Sequence, residues 1–172
     1  MSKKVDSGAL KEFVTKIEKL ARERMSSGDV VDLQSVRDLK NRKAKPSVLV
    51  IEDDDTMRAA LKRILESEDL DVKTAADGTQ FGEAIGDKPV DLIILDVGLP
   101  WINGLELAKL LKDHEALKHI PLVFISGKTS EFDVKRGFEA GADDYIKKPF
   151  EIEKVKRTIR TLLELNRNDD PS

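Results

Sequence analysis

The chain has 172 residues, 40% of them hydrophobic, no cysteine and a formal net charge of −3. That suffices for one domain of about 120 residues plus an extension, and it excludes disulfides and thiolate metal sites. No run approaches the ~18 apolar residues of a membrane span, and the N-terminus MSKKVDSGAL lacks the apolar stretch of a secretory signal, so a soluble cytoplasmic protein without membrane partners is expected.

The charge is unevenly spread. Residues 1–46 carry 12 Lys/Arg against 7 Asp/Glu, a net of +5, and residues 47–172 carry 18 against 26, a net of −8. A basic arm can bind nucleic acid. Here the basic residues are interspersed with acids, so a solvated or self-docked arm is expected instead. Within the arm, 9–25 (ALKEFVTKIEKLARERM) sets Leu10, Phe13, Val14, Ile17, Leu20 and Ala21 at helical spacing. Residues 29–40 form a second, shorter helical pattern opened by Asp29, and NRKAKPS (41–47) reads as a linker.

After the linker the pattern changes. Strand-like runs VLVI (48–51), DVKTA (71–75), LIIL (92–95), LVFI (122–125) and DYIK (144–147) alternate with helical stretches near 55–67, 78–86, 103–112, 129–139 and 151–166. Three of the runs are uninterrupted apolar tetrads, as expected of strands covered on both faces. Strand–helix alternation with short loops predicts an α/β domain built on a doubly wound parallel sheet.

Such sheets bind ligands beyond the carboxyl ends of their strands. There the first strand runs into Glu52 and Asp53, the third into Asp96, the fourth into Ser126 and the fifth into Lys147, Lys148 and Pro149. Three carboxylates together need a cation or a proton. An oxygen-only set suits Mg²⁺, which accepts one or two protein carboxylates plus phosphate oxygen. A lysine and a hydroxyl alongside can neutralise a phosphoryl group. Without His or Cys at these ends, zinc is not expected. A cap or first-turn role is expected for Asp55. Asp54, Asp143, Asp144, Lys147 and the two histidines, His114 and His119, are read as surface residues.

The segments VLVIEDDDTMR, DLIILDVGLPWINGLEL, IPLVFISGK and GADDYIKKPF occur in an order and spacing that resemble the receiver domain of two-component response regulators. The resemblance covers about 70% of the chain, from about 46 to 166. It implies a five-stranded, flavodoxin-like sheet of order 2-1-3-4-5. It further implies Asp96 as phosphoacceptor, Asp53 as a direct Mg²⁺ ligand, Glu52 as a ligand through water and the Gly98 carbonyl as a further ligand. Ser126 becomes the switch hydroxyl, Tyr145 the aromatic switch that rotates inward, and Lys148 the phosphate-binding lysine before a cis Pro149. The implied partners are a histidine kinase or phosphotransfer protein and a downstream protein target. The implied activity is not that of an enzyme, because the chain catalyses only its own phosphorylation and dephosphorylation.

The expected organisation is then an extension (1–45), a receiver (46–166) and a short tail (167–172). No output module is expected after the last helix, so the chain is expected to act through contacts, with three uses open for its N-terminal helices: a homodimer through residues 9–40, docking on its own receiver, or binding a partner. Two rivals remain. Phosphatases of the haloacid-dehalogenase type need a second Asp two residues after the nucleophile, where this chain has Gly98. A pseudo-receiver acting only as an interaction module would not need the acid pair, acceptor, hydroxyl and lysine together.

Overall fold

The computed structural model describes Thr15, Lys19 and residues 45–168. Thr15 and Lys19 are helical and exposed. The remaining expectations for residues 1–44, and the tail after 168, lie outside the described residues.

From Ser47 onward the elements follow in strict alternation: β1 (Ser47–Ile51), α1 (Asp55–Glu66), β2 (Asp71–Ala75), α2 (Gly78–Asp87), β3 (Leu92–Leu95), α3 (Gly104–Asp113), β4 (Leu122–Ser126), α4 (Glu131–Glu139), β5 (Asp144–Lys147) and α5 (Ile152–Asn168). The five strands form one sheet of order β2-β1-β3-β4-β5, and every pairing is parallel. Doubly wound order places β1, β3 and β4 in the interior, which is why their tetrads are apolar throughout.

Alternate residues of each buried strand feed opposite layers. Leu49, Ile51, Ile93, Leu95 and Phe124 join Phe81 of α2 and Leu107 of α3 on one face. Val48, Val50, Leu92, Ile94 and Ile125 join Leu61 of α1 and Ile159 of α5 on the other.

Side chains cap the first turns of α1, α3 and α4, and α1 starts at Asp55 as expected. Asp54, read from sequence as a surface charge, is the N-cap of α1 and accepts from the Met57 amide at 2.7 Å. Its extended backbone leaves Asp55 as the first-turn acid, where a carboxylate favours the helix dipole. Asn103 caps α3 in the same way, so that helix starts at Gly104 rather than 103. Ser130 and Asp133 form a reciprocal capping box, which starts α4 at Glu131 rather than 129.

Asp143 also departs from a plain surface role. Its Oδ2 accepts from the Leu122 amide at 2.8 Å and faces Lys112 Nζ at 3.2 Å, tying α3, β4 and the turn before β5. Asp144 Oδ1 accepts from the Tyr145 amide at 2.7 Å. His114 caps the end of α3, its Nδ1 accepting from the Ala116 amide at 3.1 Å, while His119 and Lys147 are exposed as expected.

Candidate functional site at the carboxyl edge of the sheet

The parallel register delivers the strand ends to one edge. Ile51 stands beside both Ala75 and Leu95, and Ser126 beside Lys147. Past those pairs the ladder continues by single bonds. The Glu52 amide donates to the Ala75 carbonyl at 3.1 Å, the Asp96 amide to Ile51 at 3.1 Å and the Lys148 amide to Ser126 at 2.9 Å. Glu52, Asp96 and Lys148 are therefore held by backbone just where the apolar core stops.

Glu52, Asp53 and Asp96 bring carboxylate oxygens within 4.8 Å of one another. Lys148 enters the group from the far side. Its Nζ lies 2.7 Å from Glu52 Oε2 and 3.4 Å from Asp96 Oδ2. The Lys148–Pro149 peptide bond is cis. The Glu52 side chain is only 3% exposed and that of Asp96 12%, whereas Asp53 is exposed.

Burial pushes the Glu52 carboxyl above the ordinary value, with the nearby Asp96 charge adding to the rise and the Lys148 hydrogen bond opposing it. For Lys148 burial works downward, but the two carboxylates outweigh it and its ammonium is held above the usual range. The four carboxylates after β1 thus separate into four situations. Glu52 is compensated by Lys148, Asp54 caps α1, Asp55 pairs with Arg58, and Asp53 faces solvent beside the acid cluster.

Arg58 and Gly104 were not singled out from sequence. The Arg58 guanidinium donates to the carbonyls of Glu52 at 3.0 Å and Asp53 at 3.3 Å, fixing the acidic turn from α1. A basic residue three after Asp55 signals only a helix pair, so this grip was hidden. Gly104 lies against the segment that follows β3. A side-chain carbon there would collide with the Asp96 carbonyl oxygen and stand 2.6 Å from Val97 Cα. The Gly104 amide donates to Val97 at 3.0 Å.

On the other flank, Ser126 is 1% exposed and its Oγ accepts from the Lys128 amide at 3.2 Å. Tyr145 is already inward. It is 6% exposed, its ring lies 5.8 Å from that of Phe124, and its hydroxyl donates to the Lys128 carbonyl. Burial pushes the phenol above its ordinary value. Gly98 donates its amide to Asp96 Oδ1 at 3.2 Å. Around Gly127 there is open space where a side chain would begin.

Among the described residues, no helix is long and apolar enough to cross a membrane.

Comparison with known proteins identifies the family. The aerobic respiration control protein ArcA of Escherichia coli K12 is 37% identical over 123 residues, 72% of this chain and 50% of that protein. The DNA-binding response regulator MtrA of Mycobacterium tuberculosis H37Rv is 37% identical over 72% of this chain and 52% of its own length. The chain therefore spans about half the length of the curated relatives it matches. A crystal structure of a putative response regulator from Chloroflexus aurantiacus J-10-fl superposes with a TM-score of 0.66 at 31% identity, covering 70% of this chain and 99% of that one. The description of the response regulator receiver domain matches residues 48–160. With this match, the parallel order 2-1-3-4-5 and the acid–lysine cluster at its carboxyl edge, the chain belongs to the response regulator receiver domain family of two-component signalling.

Proposed function

We propose that residues 46–166 are the receiver unit and that Asp96 accepts a phosphoryl group from a histidine kinase or phosphotransfer protein. The observation that carries this reading is the placement of the Asp96 carboxylate. It ends β3 with Lys148 Nζ at 3.4 Å and the oxygens of Glu52 and Asp53 within 4.8 Å. A carboxylate so placed is a nucleophile with an adjacent cation to neutralise the incoming oxygens.

The oxygen-only donor set fits a hard divalent ion. Asp53, Asp96 and the Gly98 carbonyl would hold Mg²⁺ directly and Glu52 through water. Bound there, the ion supplies charge neutralisation for phosphoryl transfer. The chain's own residues do the rest. An Asp96 oxygen attacks phosphorus as the bond to the histidine nitrogen breaks, and Lys148 takes up charge on the phosphoryl oxygens. The open space around Gly127 leaves room for the donor. The Ser126 hydroxyl stands ready to bond a phosphoryl oxygen, and Tyr145 reports that event to the α4–β5–α5 face. The chain is thus a signalling component that acts on its own Asp96, not a turnover enzyme.

Output passes through protein contacts, and the apolar stripe of residues 9–25 is our candidate surface for a second copy, with residues 29–40 continuing it. The solution mass of the full chain with and without beryllofluoride reads this directly.

The decisive experiment is transfer of label from a phosphohistidine donor in Mg²⁺. Wild type takes up label and Asp96→Asn does not. Label on Asp96→Asn at the wild-type rate overturns the acceptor assignment. Failure of wild type to bind beryllofluoride with Mg²⁺ favours a pseudo-receiver.

A further inference from the structure

Gly137 is the buried residue of α4, a helix that otherwise turns Phe132 and Phe138 toward solvent. A Cβ added to it would lie 2.7 Å from Tyr145 Cδ2, 2.9 Å from Tyr145 Cε2 and 3.3 Å from Phe124 Cδ2. Carbon atoms do not pack that closely, so either the helix or the ring must move. The helix is fixed at both ends. The Ser130–Asp133 capping box holds its start, and at its end the Ala142 amide donates to the Gly137 carbonyl at 3.2 Å. The Tyr145 ring is the part with a rotatable bond.

We propose that Gly137 is a positioning residue for the switch, whose missing side chain is the space that the inward Tyr145 ring occupies. The consequence runs along named contacts. The Tyr145 hydroxyl donates to the Lys128 carbonyl, and the Lys128 amide donates to Ser126 Oγ at 3.2 Å. An inward ring therefore anchors the β4–α4 loop and the hydroxyl at its start. A side chain at position 137 drives the ring outward and frees that loop. The inference deepens the receiver reading, because Ser126 and Tyr145 matter to signalling only if that reading holds.

A purely local role for Gly137 makes the opposite prediction. Glycine inside a helix is less favourable than alanine, so alanine would stabilise α4 if nothing opposed it. The two cases separate cleanly because Tyr145 is the single tyrosine of the chain, and an ultraviolet titration reads its phenol alone. Burial raises that phenol, the charges of Asp133 and Asp96 add to the rise and the Ser126 hydroxyl opposes it.

In the full-length chain, Gly137→Ala should bring the phenol titration down toward the ordinary value of 10.0. It should lower the thermal midpoint and weaken beryllofluoride binding several-fold. The same substitution beside Tyr145→Ala should raise the midpoint above that of Tyr145→Ala alone, because no δ or ε carbon of residue 145 then meets the new methyl and the helix preference remains. That double variant also keeps the test decisive if Gly137→Ala alone folds poorly. An unmoved phenol titration, or an equal fall of the midpoint in both backgrounds, overturns the proposal. If wild type itself binds no beryllofluoride, the phosphoacceptor reading fails, and the titration still decides whether Gly137 places the ring.

Discussion

Lys148→Met isolates the electrostatic core of the site. Methionine keeps much of the stem but removes the ammonium that lies 2.7 Å from Glu52 and 3.4 Å from Asp96. Glu52 is then a carboxylate with 3% side-chain exposure beside a second carboxylate. Removing one partner of a buried ion pair costs about 3–5 kcal/mol, because the remaining charge is stranded. Lys148 is 20% exposed, so solvent screens part of the loss and the lower end, ~3 kcal/mol, is expected. For a domain of this size, at roughly 4 °C per kcal/mol, the thermal midpoint should fall by about 12 °C.

The variant's deficit should depend on pH with a definite sign. Burial already raises Glu52, and Lys148 opposes that rise. Without Lys148 the folded-state value climbs further above the ordinary 4.5. A group raised on folding contributes stability that is present below its unfolded value and lost as pH rises through its folded value. The deficit should thus shrink as pH is lowered toward 4.5 and be complete above the raised folded value. Adding Glu52→Gln to Lys148→Met should recover most of the loss at neutral pH, since the stranded charge is gone. Denaturant unfolding of the four members of this cycle measures it. A Lys148→Met midpoint equal to wild type, or no recovery in the double variant, refutes the claim that Lys148 compensates Glu52.

Gly104→Ala should be more damaging to Asp96 than its size suggests. The new carbon meets the backbone of Asp96 and Val97, which has no rotamer to change, so the cost should reach or exceed the ~1–3 kcal/mol of ordinary overpacking, with label uptake on Asp96 falling in parallel. Mg²⁺ at about 100 times its Kd should raise the stability of wild type by ~2.7 kcal/mol through mass action. Asp53→Asn should remove that response while leaving the fold intact, and a response that survives would displace Asp53 as a ligand. Glu68, bridged to Arg160 and Lys156 of α5, has a carboxyl held below its ordinary value chiefly by the Arg160 hydrogen bond. Glu68→Gln should therefore lower the midpoint above pH 4.5 and lose its effect as pH falls through the depressed folded value, with high salt erasing the difference.

What was legible in the sequence divides along the range of the interaction that carries it. The apolar tetrads VLVI, LIIL and LVFI announce strands buried on both faces because each side chain has its own layer, Leu49 and Ile51 on one side and Val48 and Val50 on the other. Polar residues directly after such runs must lie at the sheet's edge, so Glu52, Asp53, Asp96 and Ser126 were readable as a group. Partnerships set by register were not. Asp143 looks like one of two surface acids until β4 and β5 pair, and the Leu122 amide, 21 positions away, falls on its carboxylate. The consecutive acids after β1 look like repeated repulsion until each acquires a different neighbour from a different helix or strand. Glycine is the least legible of all. Gly104 and Gly137 have no side chain to classify, and their meaning lies in which atoms stand where a Cβ would be: the backbone of Asp96 and Val97 for one, the ring of Tyr145 for the other. The first kind of neighbour cannot yield and the second can. Gly104 should therefore act on whether the site forms, and Gly137 on which way the Tyr145 ring points.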